Sequence, residues 1–169
     1  MKVIDQEIAS LKNSISEMWA LVHQQLYNAS VAMLTGDKEL AYKVISRERR
    51  VNAFELKIDS DCEDIIALYA PVAVDLRFVL AMYKINTNLE RLGDFAESIA
   101  RFAGNLPEGV PVDPQLIKDT RVEEMLQELL SMLTLSQEAF EKESSEIASR
   151  IFLKDNLIDE INHNSTRII

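Results

Sequence analysis

The chain has 169 residues, 47% of them hydrophobic and 27% charged, with a formal net charge of −10, the proportions of an ordinary globular protein rather than a disordered one. That acidity excludes a binder of nucleic-acid phosphates, which needs a clustered basic surface, and it repels acidic membrane headgroups. No apolar run reaches the length of a membrane span, and MKVIDQEI at the amino terminus carries acidic residues where a signal peptide needs an apolar core, so we expect a cytoplasmic protein without direct membrane insertion.

With four glycines and four prolines in the whole chain, long helices are favoured over a sheet, and the expected fold class is all-α. The first helix is predicted from Asp5 to Leu34, ending at Gly36, with Asp37 placed to cap the second. The second runs from Lys38 to Tyr69 and stops ahead of Pro71. The third covers Val72 to Ala103, with an apolar seam at Phe78, Met82, Ile85, Leu89, Leu92, Ala96, Ile99 and Ala103, alternating steps of four and three as in a left-handed bundle. Cys62 falls on the apolar side of the second helix, where a buried thiol in a reducing compartment is expected, since a lone cysteine makes no internal disulfide. The domain reading is a three-helix unit over residues 1–104, a linker over 105–114 that ends in an Asp113 cap with Pro114 at the first helical position, and a partial second unit over 115–169. Two further helices are predicted there, Gln115 to Phe140 and Ser145 to Ile169.

Laying residues 39–54 on residues 146–161 reveals an internal repeat. Glu39 meets Glu146, Ala41 meets Ala148, Lys43 meets Arg150, Arg47 meets Lys154, Glu48 meets Asp155 and Val51 meets Ile158, so charge as well as apolar character is kept. The fold expected is therefore tandem three-helix bundles, the second incomplete because the counterpart of the third helix falls beyond Ile169.

Two polar stripes flank the apolar seams: Glu48, Asn52, Glu55, Asp59 and Glu63 on the second helix, and Asn86, Glu90, Asp94 and Glu97 on the third. Carboxylates one turn apart repel by roughly 0.2–0.5 kcal/mol per pair on an exposed helix. A cation turns that repulsion into a site, and oxygen donors suit iron, manganese or magnesium better than copper. The plainer reading is a solvated acidic face neutralised by Arg47, Arg49, Arg50, Arg91 and Arg101. Gly93, which costs a helix about 1 kcal/mol, would admit a neighbouring helix beside the carboxylates. Glu160 and His163 form a single Glu-x-x-His pair, half of what a carboxylate-bridged di-iron bundle uses, and His23 has no acid or nucleophile near it in sequence. No nucleophile elbow, phosphate loop or cysteine pair occurs, so nothing specific supports catalysis.

The stretch PVAVDLRFVLAMYKINTNLERLGDFAESIARF resembles the PhoU family, through Pro71, Ala73 and Asp75-Leu76-Arg77, then the run from Leu89 to Asp94, then Ile99 and Ala100. The resemblance implies two tandem three-helix bundles, of which this chain would lack the last helix, and a non-enzymatic regulator of phosphate uptake and phosphate-starvation signalling. As partners it implies a second copy in a homodimer, the ATPase of a phosphate ABC transporter and a sensor histidine kinase. It also implies metal-binding acidic motifs, which by position fall on Glu48 with Asn52, Glu90 with Asp94, and Asp155 with Asp159; Asn52 stands where the family has an aspartate. The alternative is a metal-binding helical-bundle oxidoreductase or metal store. Asp75 is expected to order the start of the third helix and Arg77 to reach the second helix or a partner.

Overall fold

In the computed structural model, described for residues 3–107 and 110–168, the chain folds into α1 (Val3–Thr35), α2 (Lys38–Tyr69), α3 (Ala73–Asn105), α4 (Pro114–Thr120), α5 (Val122–Glu141) and α6 (Ser145–Ser165), with no strand among the described residues. Glu108 and Gly109 of the expected linker, and the expected helix end at Ile169, lie outside the described residues; α6 itself closes at Ser165.

The predicted punctuation operates as physical chemistry requires. Gly36 takes a left-handed φ of 72°, and the Asp37 carboxylate accepts from the Leu40 N–H at 2.9 Å to start α2. Asp113 accepts from the Gln115 N–H at 2.9 Å, with Pro114 at the head of α4. Between α2 and α3 the chain turns through Ala70 and Ala73, both left-handed at φ 44° and 50°, and buried Pro71 lies between them. Val72 caps α3 without a side-chain bond, so Asp75 contributes only as a negative charge in the first turn, favourable to the helix dipole.

Helices α1, α2 and α3 form one bundle around Leu11, Ile15, Met18, Val22, Val44 and Ile58, none of them exposed. Each such side chain contributes roughly 1.5–3 kcal/mol through burial. The pair α5 and α6 packs beside it, joined through α1. Trp19, 6% exposed, anchors this second unit: its ring stacks on Phe140 with centroids 5.6 Å apart, and its Nε1 donates to the Leu133 carbonyl at 3.2 Å. His23 has the same structural duty, its Nε2 3.1 Å from Thr134 Oγ1.

Two expectations are corrected. The single helix from Gln115 to Phe140 is broken at Arg121, which adopts φ 54°. Its guanidinium is held at 2.8 and 2.9 Å by Glu124 and at 2.9 Å by Glu160 of α6, so the ion pairs fix a backbone turn that no glycine or proline announces. Half of the expected α3 seam is also displaced. Met82, Leu89, Ala96 and Ala103 are buried as expected, but Phe78, Ile85, Leu92 and Ile99 are only partly buried, and Val79, Asn86, Gly93 and Ala100 are buried in their place. The reason is size: the small residues allow α2 to come close, and the bulky ones line an open groove towards α5.

Candidate functional site

Helices α2 and α3 run side by side in opposite directions, because contacts pair falling numbers on one with rising numbers on the other. Cys62 Sγ lies 3.9 Å from the Val79 carbonyl, Asn86 Nδ2 donates to Asp59 at 2.7 Å and to the Glu55 carbonyl at 2.9 Å, and Gly93 abuts Val51. A Cβ on Gly93 would sit 2.8 Å from Val51 Cγ1, which explains a glycine in the middle of a long helix. Asn86, wholly buried, bonds two groups of α2 and fixes the register of the pair.

That close approach sets the two acidic stripes facing one another. Glu48 is 8% exposed; its Oε2 accepts from Asn52 Nδ2 at 2.7 Å, while its Oε1 is buried with no hydrogen-bond partner. Its pKa is raised, first by burial and then by the charges of Glu97, Asp94 and Glu55. Glu55 is raised by burial and by Asp59 and Asp94. Glu90 is raised by burial, by the charge of Asp94 and by a hydrogen bond with it. At one end Arg101 answers the row by binding Glu97 at 2.6 Å, and of the arginines expected to neutralise the face it alone has a salt bridge among the described residues.

Glu48, Asn52, Glu90 and Asp94 are thus brought to one groove, as the spacing predicts. Asp155 and Asp159 are not: they stand exposed on α6, which packs against α4 and α5. Glu160 is occupied by Arg121 and His163 is exposed, so the Glu-x-x-His pair serves the fold. Glu55, Asp59 and Glu97 belong to the groove as well, and their signal was their place in the same stripes. The donor chemistry, carboxylate and amide oxygens with two buried oxygens lacking a partner, Glu48 Oε1 and Asn86 Oδ1, fits a hard divalent cation. Among the described residues no three such side chains converge on one point as they stand, so coordination requires side-chain rotation towards a shared ion. Cys62 is buried, its thiol pushed up to about 12 chiefly by burial, and it packs as an inert apolar group.

Fold and groove together define an all-helical bundle with an acidic channel between two antiparallel helices. The family model described as PhoU domain matches residues 15–103 and 122–169. A phosphate-specific transport system accessory protein PhoU homolog of Aquifex aeolicus is 32% identical over 162 residues, 96% of this chain and 72% of that protein. The corresponding PhoU of Escherichia coli is 34% identical over 154 residues, 91% of this chain and 62% of its own length. Among solved structures, the phosphate transport system regulatory protein PhoU of Streptococcus pneumoniae superposes with a TM-score of 0.82 at 30% identity, covering 95% of this chain and 73% of that one. PhoU of Pseudomonas aeruginosa gives 0.85 at 25% identity, covering 96% and 77%. The chain belongs to the PhoU family. No helix among the described residues is long and apolar enough to cross a membrane.

Proposed function

We propose that this chain is a non-enzymatic accessory regulator of phosphate transport, acting in the cytoplasm as a homodimer and linking the ATPase of a phosphate ABC transporter to a sensor histidine kinase. The observation that carries the reading is the family match across both helical units, in a chain similar to proteins named as phosphate transport accessory and regulatory proteins. The acidic groove is its second element. Three carboxyl groups with raised pKa values face one another there, and a bound divalent cation, iron, manganese or magnesium, would supply the positive charge they lack. Glu48, Glu90 and Asp94 would hold it, with the Asn52 oxygen as a neutral donor once its amide releases Glu48. The second pair, Asp155 and Asp159, is left as a weaker cation site on α6, exposed and without an opposing acidic helix among the described residues.

Deleting the gene and following both uptake of labelled phosphate and a phosphate-starvation reporter tests the regulatory role. Derepressed uptake and reporter activity in phosphate-rich medium are expected; unchanged values of both would overturn it.

A further inference from the structure

The outward face of α2 takes no part in the core or in the acidic groove, and its charge pattern is unlike the rest of this acidic molecule. At every seventh position it presents Tyr42, Arg49, Leu56 and Glu63, all exposed, with Tyr42 59% and Leu56 70% accessible. A parallel row of small exposed residues, Ser46, Ala53, Ser60 and Ala67, runs beside it, and Arg50 and Asp64 stand beyond that row. Residues seven apart return to nearly the same side of a helix, so each row is a straight ridge along α2.

The ridges are self-complementary. Arg49 precedes Leu56 by the same interval at which Glu63 follows it, and Arg50 and Asp64 flank Lys57 in the same way. None of Arg49, Arg50, Glu63 and Asp64 forms a salt bridge with a described residue. Cations therefore occupy one half of the face and anions the other, at mirrored distances from a central exposed leucine.

We propose that this face is the homodimer interface, with α2 packed antiparallel on α2 of a second copy about a two-fold axis passing beside Leu56. In an isologous contact each residue meets its complement twice. Arg49 then faces Glu63 of the second copy, Arg50 faces its Asp64, and the two Leu56 side chains meet at the axis. The small central row allows the two helix axes to come close, as small side chains do at helix contacts. Lys57, next to the axis, does not oppose its counterpart, because its Nζ is drawn towards α1 by Ser14 Oγ at 3.2 Å and is neutralised by the Asp61 carboxylate one turn on along α2. A molecule of net charge −10 repels its own copies at long range. This locally balanced face gives them a place to meet. The inference deepens the dimer included in the function proposed above and rests on it only for that dimer's biological purpose.

Sedimentation velocity on the purified chain tests it, with circular dichroism to confirm that each variant is folded. The wild type is expected as a dimer of the 19.2 kDa chain. Leu56→Glu, which sets two carboxylates at the axis, is expected to give a monomer. Arg49→Glu alone, which sets like charges against Glu63 twice, is expected to weaken association by about tenfold. The exchange of both, Arg49→Glu with Glu63→Arg, restores it. A monomeric wild type, a dimer indifferent to both single changes, or an exchange variant no tighter than Arg49→Glu overturns the interface. Loss of phosphate regulation with a wild-type dimer intact would instead strike at the function and leave the interface standing.

Discussion

Gly93 shows how one residue sets the geometry of the groove. Adding a methyl group there should gain about 1 kcal/mol in helix propensity, but the new Cβ would lie 2.8 Å from a Val51 methyl. A β-branched valine on a helix has essentially one rotamer and cannot swing aside, and overpacking a tight core costs about 1–3 kcal/mol. Gly93→Ala is therefore expected to destabilise the protein by about 1 kcal/mol net in urea denaturation, with part of that recovered when Val51→Ala is added. A stabilised Gly93→Ala would mean that α2 and α3 lie farther apart than described. Glu48 gives a second prediction at this scale. For Glu48, Glu55 and Glu90 the folded pKa lies above the ordinary glutamate value, so the stabilisation from their protonated forms is complete below that value and is lost as pH rises through the raised one. Glu48→Gln should accordingly raise the melting temperature of metal-free protein at pH 7 and leave it unchanged at pH 4. A gain of equal size at both pH values would place the origin in packing rather than charge.

At the scale of elements, α1, α2 and α3 were legible because the junctions between them are written in residues with one strong local meaning: Gly36, Asp37 and Pro71. The buried face of α3 was half legible: Met82, Leu89, Ala96 and Ala103 stood in the apolar pattern, and the other half of the face did not. Asn86 and Gly93 do not count as apolar in a hydrophobic pattern, yet they occupy the centre of the contact because a hydrogen-bonding amide and a missing side chain suit a close helix pair better than bulk. The break at Arg121 was equally hidden, since part of its cause lies thirty-nine residues away, in Glu160, which shares the guanidinium with Glu124. Arg121→Gly and Arg121→Ala separate the two contributions there. Both lose the ion pairs, but only alanine keeps the cost of a left-handed backbone, about 1–2 kcal/mol, so the glycine variant should be the more stable of the two. Equal stabilities would show that the turn is unstrained. Helix α6 should also open more readily than α2: Ile161 is its one buried residue among those described, and Phe152 and Leu153 are 75% and 76% exposed. Hydrogen exchange should find its amides less protected than those of α2 in the same sample. Equal protection would contradict the packing.

For the whole molecule of net charge −10, the channel between α2 and α3 gathers Glu48, Glu55, Glu90, Asp94 and Glu97 within reach of one another's charge. The candidate site was half legible. Spacing along each helix put Glu48, Asn52, Glu55 and Asp59 on one stripe and Glu90, Asp94 and Glu97 on the other, and the resemblance to the PhoU family singled out Glu48, Asn52, Glu90 and Asp94 among them; only the antiparallel pairing shows that the two stripes share a groove and that Asp155 and Asp159 lie outside it. If the groove works by holding a cation, Mn²⁺ or Mg²⁺ should raise the melting temperature of the wild type. Glu90→Gln with Asp94→Asn should weaken that binding by tenfold or more, on the order of what the loss of supporting carboxylates costs elsewhere. The regulatory claim itself is tested most directly by returning either the wild-type chain or the Glu48→Gln, Glu90→Gln, Asp94→Asn variant to a strain deleted for the gene, and measuring phosphate uptake in rich medium. The account predicts that the wild type restores repression and the folded variant does not; repression restored by neither would contradict the regulatory claim, and repression restored equally by both would contradict the part assigned to the groove.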